Sequence, residues 1–89
     1  MISVLEACKL MTDGTDTPFV SAINDIGNCF IIATVTKTGE SIDIARIIDK
    51  ETKEIRVGTF KEFKKYLNVM KKVEIPEQYQ VKNDVFTSK

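Results

Sequence analysis

The sequence predicts a small α+β domain: an antiparallel meander of three to four strands with an N-terminal and a C-terminal helix packed on the sheet. Two capping boxes mark the helix starts, Ser3 with Glu6 and Thr59 with Glu62, because each hydroxyl can accept from the amide three residues later while the glutamate reaches back. Between them, short turns separate runs of apolar and β-branched residues, which favours consecutive antiparallel strands. The predicted element order is α-β-β-β-β-α. We expect both helices on one face of the sheet, over a single shared core.

The chain length fixes the domain organisation. Its 89 residues have room for one domain and no more. We predict a single domain over residues 1–75 and a C-terminal tail over residues 76–89, which forms either an edge strand or a mobile arm. The first helix begins after Ser3 and ends near Asp13, because Gly14 suits a left-handed C-cap.

Four strands are predicted between the helices. Residues 19–26 alternate in polarity, and the Gly-Asn pair that follows them signals a hairpin. Residues 29–36 are apolar on both faces and rich in β-branched side chains, as in a central strand. Residues 41–49 form the third strand, in which a break in the period of two indicates a bulge near Ala45. Residues 54–57 form a short fourth strand.

The second helix carries the clearest amphipathic pattern. Four apolar side chains recur at helical spacing, which predicts one buried stripe, and five lysines lie mostly off that stripe. The stripe comprises Phe60, Phe63, Leu67 and Met70, and the lysines are Lys61, Lys64, Lys65, Lys71 and Lys72.

The residue types argue against catalysis. Histidine is absent from the whole sequence, which removes the commonest general base and metal ligand. Cys8 and Cys29 sit in apolar surroundings and are expected to be buried free thiols. Asp13 and Asp16 flank a glycine but lack the closing glutamate of a calcium loop. We therefore predict no enzyme, with no catalytic residue, no metal and no cofactor.

The charge pattern gives no strong attraction to nucleic acid or membrane. Thirteen basic residues balance thirteen acidic ones, although residues 1–40 carry a net charge of −3 and residues 41–89 one of +3. The second helix holds lysines but no arginine, whereas base reading relies on arginine. Neither a secretory signal nor a run of about 20 apolar residues is visible. These features predict a cytoplasmic protein with no membrane partner.

One segment resembles a known family. Residues 47–59, IIDKETKEIRVGT, followed by KEFKKYL, resemble the C-terminal hairpin and helix of YrhB-like immunity proteins of bacterial polymorphic toxin systems. Members tend to show an apolar strand, then D-K-x-T-G-x-I, then G-T and a helix. Lys53 stands where the family usually has glycine. The matching positions are Ile47, Ile48, Asp49, Lys50, Thr52, Ile55, Gly58 and Thr59.

The resemblance implies a protein that binds a cognate toxin and blocks it, which requires no catalytic residue. The acidic N-terminal half would then meet a basic toxin face and speed association. On charge alone, Asp13, Asp16 and Asp25 are the first candidates for partner contact.

Three other functions stay open. A small regulatory domain, phage-derived or self-associating as a homodimer through an exposed strand edge, is the main alternative. A nucleic-acid-associated domain would use the second helix. An enzyme ranks last, and a deep pocket with carboxylates converging around Cys29 would favour it.

Overall fold

The computed structural model describes residues 1–41 and 45–81, and it confirms the predicted α+β class. Over this part of the chain the strands form one antiparallel sheet in the order β4-β3-β2-β1-β5. The short β5 adds an edge strand beside β1, beyond the predicted meander. The elements are α1 (Val4–Thr12), β1 (Phe19–Asp25), β2 (Cys29–Val35), β3 (Arg46–Asp49), β4 (Ile55–Val57), α2 (Phe60–Tyr66), β5 (Lys71–Lys72) and a 3-10 turn (Glu77–Tyr79).

The two helices lie on opposite faces of the sheet, so the expectation of one shared core is wrong. Successive residues of a strand point to opposite faces. In β2, Phe30 and Ile32 join the core beneath α1, whereas Cys29 and Ile31 join the core beneath α2. The central strand is apolar on both sides because it serves both helices.

The core beneath α1 is the larger of the two. Helix α1 buries Ala7, Cys8 and Met11 against the sheet. A bulge in β1 between Val20 and Ala22 shifts the strand by one residue, so side chains three apart in sequence share the α1 face. The sheet residues of this core are Val20, Ile23, Phe30, Ile32 and Ile48.

The C-terminal segment closes the α1 face. Val73, Ile75 and Tyr79 pack against the core beneath α1, and the amide of Val73 donates to the carbonyl of Ile23 at 2.9 Å. The described part of the predicted tail, residues 76–81, therefore begins with a 3-10 turn whose Tyr79 contacts the core. The rest of the tail lies outside the described residues, as does the segment 42–44 of the predicted third strand.

The turn between β3 and β4 is built by its own side chains. The Asp49 carboxylate accepts hydrogen bonds from the amides of Glu51 and Thr52 at 2.8 and 3.0 Å. Lys53 then adopts a left-handed backbone conformation with φ of 65°. Residues other than glycine, asparagine and aspartate rarely adopt this conformation. The turn thus holds a lysine at a position that glycine would occupy with less strain.

Helix α2 does not bury its predicted stripe as a whole. The Thr59 hydroxyl accepts from the Glu62 amide at 3.1 Å and fixes the first turn. Phe63 then packs towards the sheet beside Gly58, together with Tyr66 and Met70. Two members of the stripe, Phe60 and Leu67, are instead 82% and 63% exposed. The helix ends at Tyr66, so the helical period that defines the predicted stripe does not extend to Met70.

Candidate functional site

The three aspartates predicted as partner contacts do not form one patch. Asp13 and Asp16 are exposed in the turn that follows α1. Asp25 ends β1, and a strand of seven residues spans about 20 Å. The structure therefore keeps the first two together and separates them from the third.

The carboxylate of Asp25 is occupied within the fold. It accepts from the ammonium of Lys50 and from the amide of Gly27, both at 2.8 Å, and these bonds lower the pKa of Asp25. Lys50 is only 8% exposed, and its ammonium lies 4.5 Å from the centre of the Phe30 ring. The Lys50 carbonyl also accepts from the amide of Ile2 at 3.0 Å. This pair thus ties the β3–β4 turn to β1 and the N-terminus.

Both cysteines are buried free thiols. Burial raises the pKa of Cys8 to about 11. The pKa of Cys29 is also raised, first by burial and then by the negative charge of Asp49. Both thiols are therefore protonated near neutral pH and are weak nucleophiles.

A polar cavity of about 290 Å³ lies beside Cys29 on the α2 face of the sheet. It brings Asp49 and Glu54 to its lining, as the enzyme hypothesis required. The Asp49 carboxylate, however, already caps its turn and disfavours the Cys29 thiolate. This cavity is poorly suited to cysteine chemistry. Its lining residues are Asn28, Cys29, Ile47, Asp49, Thr52, Glu54, Arg56 and Tyr66.

An ion pair attaches α2 to the edge of the sheet. The Arg56 guanidinium in β4 donates to both carboxylate oxygens of Glu62, one of them at 2.6 Å. The Tyr66 hydroxyl donates to the same carboxylate at 3.0 Å. These bonds lower the pKa of Glu62 to about 2, and the bond from Arg56 contributes more than the bond from Tyr66. The carboxylate of Glu62 is therefore satisfied inside the fold, and its negative charge is neutralised there.

The outer side of α2 combines exposed apolar side chains with lysines, and we call it the α2 surface. Phe60 and Leu67, seven residues apart, project along one side of the helix, with Lys64 between them. Val57 does not belong to this side: its neighbour Arg56 points towards α2, and successive residues of a strand point to opposite faces. The α2 surface comprises Phe60, Lys61, Lys64, Lys65 and Leu67.

Comparisons with known proteins are negative. A scan against protein-family models, a search of the curated proteins and a search of the solved structures each gave no match to this chain. Within residues 1–41 and 45–81, no helix is long and apolar enough to cross a membrane. The same residues hold no group of three or more His, Cys, Asp or Glu side chains placed to bind a metal ion.

The helical spacing of the apolar residues predicts Phe60 and Leu67 in the core and therefore does not indicate the α2 surface. Phe63 and Tyr66, three residues apart, face the sheet instead. The Thr59 capping box is a usable signal, because it fixes the residue at which the helix begins. In so short a helix only one side can face the sheet.

Proposed function

We propose that this chain is a non-catalytic protein-binding domain that neutralises a bacterial toxin in the cytoplasm, as immunity proteins do. The observation that carries the binding role is the exposure of Phe60 and Leu67, 82% and 63%, on one side of α2. Single exposed apolar residues are ordinary, whereas large ones grouped together mark an interaction site. An aromatic side chain such as Phe60, once a partner covers it, is expected to anchor such an interface.

The toxin-neutralising role rests on the resemblance of residues 47–59 to immunity proteins, and one backbone feature supports it. The resembling family usually has glycine where this chain has Lys53, and Lys53 has a left-handed φ of 65°. Glycine adopts that conformation without steric cost. The turn therefore has the backbone geometry that the family's glycine would suit.

The α2 surface is also held in place before any partner arrives. Arg56 in β4 and Glu62 in α2 form a two-pronged ion pair, and the Phe63 ring packs on Gly58. A surface ordered in advance loses less conformational entropy on binding. This arrangement suits a tight inhibitor.

The test is protection of growth. Each protein encoded beside this chain's gene would be expressed alone in a surrogate bacterium and then together with this chain. One neighbour should arrest growth, and the intact chain should restore it, whereas the Phe60→Ser/Leu67→Ser double variant should not. Leu10→Ser on α1 is the matched control, because Leu10 is also exposed. If a neighbour arrests growth and the chain never restores it, the toxin-neutralising role is wrong.

A second candidate, self-association through a strand edge, is favoured by the exposure of β4. In the described part of the chain β4 pairs only with β3, and its Ile55 and Val57 side chains are partly exposed. The opposite edge, β5, consists of two lysines, which discourage strand pairing. A concentration-dependent dimer in sedimentation, abolished by Val57→Lys, would support this alternative.

A further inference from the structure

We propose that the α2 surface docks into an apolar groove rimmed by acidic side chains on a partner protein. This inference rests on the proposed protein-binding role and specifies the chemistry of the partner. It also moves the contact site away from the acidic loop that follows α1, the helix on the other face of the sheet.

The charge of the α2 surface selects an acidic partner. Lys61, Lys64 and Lys65 are exposed and form no ion pair among residues 1–41 and 45–81. The one acidic residue of the helix, Glu62, is already neutralised by Arg56. The helix therefore presents three uncompensated positive charges beside its apolar side chains. Acidic groups on the partner would be steered towards them and would fix the orientation of docking.

The apolar part of the surface favours a protein over a nucleic acid. Phe60 could stack on a base, but Leu67 has no aromatic face to stack and no polar group for a phosphate. The exposure of both side chains costs free energy in water, and that cost is recovered by burial against other apolar side chains. A partner with an apolar groove would use both residues, whereas an RNA strand would use one.

Two further occupants fit less well. A second copy of the chain, placed by twofold symmetry on the same surface, would set the lysines of one α2 against those of the other. A membrane would receive a helix of seven residues with Phe60 exposed at its start and Leu67 exposed at its C-cap, too short an apolar face for stable insertion. An apolar groove with an acidic rim matches both the positive charge and the exposed apolar side chains of the α2 surface.

The test is a selection of random peptides displayed on phage, with the whole 89-residue chain as the immobilised target. Enriched peptides should combine aspartate or glutamate with aromatic or aliphatic residues. Their synthetic versions should bind the intact chain and lose about tenfold in affinity with Phe60→Ser/Leu67→Ser. A Lys61→Glu/Lys64→Glu variant should slow association by several fold at low salt. Circular dichroism of each variant verifies folding, and Lys9→Glu/Leu10→Ser on α1 is the matched control.

Three outcomes would overturn the inference: no enriched peptide, enriched peptides without acidic residues, or binding that the α1 control abolishes and the α2 variants do not. Single-stranded RNA and anionic lipid vesicles are tested in parallel. Binding to either that depends on Phe60 and Lys64, without any acidic peptide, would assign the surface to that class instead. The selection needs no toxin, so it can succeed when the growth assay fails, and the two proposals are judged separately.

Discussion

At the scale of single residues, Lys50 and Asp25 link three parts of the chain that are distant in sequence. The lysine is nearly buried, and its ammonium is stabilised by the Asp25 carboxylate and by the face of the Phe30 ring. A buried ammonium without its partner carries most of its desolvation cost uncompensated. The net attraction between the two charges is therefore small. The pair holds the β3–β4 turn in place chiefly because separating the charges would leave the Lys50 ammonium buried without a partner.

We expect Asp25→Asn to lower the free energy of unfolding by about 1–3 kcal/mol at pH 7, with a pH dependence of known sign. The folded state lowers the pKa of Asp25, so the contribution of this carboxylate to stability is fully present above its unfolded pKa of about 3.9. It is lost as the pH falls through the lower folded value. The difference between the two proteins should thus be largest at pH 7 and shrink below about pH 4.

Urea unfolding of both proteins at pH 7, 5 and 3 measures this difference. Asp13→Asn is the matched control, because the Asp13 side chain makes no ion pair with the described residues and should have little effect at any pH. An Asp25→Asn difference that is constant from pH 7 to 3 would contradict the proposed role of the ionised carboxylate.

At the scale of elements, α2 is positioned by one close contact between a glycine and a ring. A Cβ atom added to Gly58 would lie 2.4 Å from Cζ of Phe63 and 3.1 Å from Cδ1 of Ile47. Phe63 therefore rests directly on the backbone where β4 leads into α2. A larger residue at position 58 would displace the ring and, with it, the helix.

We expect Gly58→Ala to destabilise the fold by about 1–3 kcal/mol through overpacking. The same substitution in a Phe63→Ala background should cost far less, because the obstructing ring is absent. Urea unfolding of the two single variants and the double variant measures this coupling. Additive effects would mean that the ring and the glycine are not in contact in solution.

The elements also indicate what the sequence could predict. Both helix starts were predictable because a capping box is a local signal, and Ser3 and Thr59 accept the amide bonds expected of them. The helix faces were not predictable, because they depend on the alternation of β2 between two cores. Phe60 has the same apolar character as Phe63, and only the tertiary position of α2 separates the exposed ring from the packed one.

The candidate site was predictable to a smaller extent. Asp25 is a candidate for partner contact on its charge alone. Its carboxylate pairs with a lysine 25 residues away in sequence, and the neighbouring residues give no sign of that pairing. The bulge in β1 was likewise hidden, because the pattern of residues 19–26 is compatible with a regular strand. The ion pair and the bulge both depend on contacts between residues far apart in sequence, and a local pattern of residue types does not predict such contacts.

At the scale of the whole molecule, the two faces of the sheet are unequally stabilised. Among the residues that the structure describes, the core beneath α1 contains nine buried residues, whereas the core beneath α2 contains three, with Phe63, Tyr66 and Met70 packed around them. Hydrophobic stabilisation scales with the apolar area removed from water. Helix α2 should therefore detach more easily than α1, and the proposed binding surface lies on the less stable part of the fold.

We expect native-state hydrogen exchange to resolve two levels of protection. The Phe63 amide, which bonds to the Thr59 carbonyl, should exchange through a local opening of α2, while amides of α1 and β2 should require unfolding of the whole domain. Glu62→Gln weakens the ion pair to Arg56 and should accelerate exchange in α2 alone. Exchange of the Phe63 amide at the same opening free energy as β2 would instead mean that the domain unfolds as one cooperative unit. In that case α2 could not open separately, and a partner would have to bind the helix as it lies on the sheet.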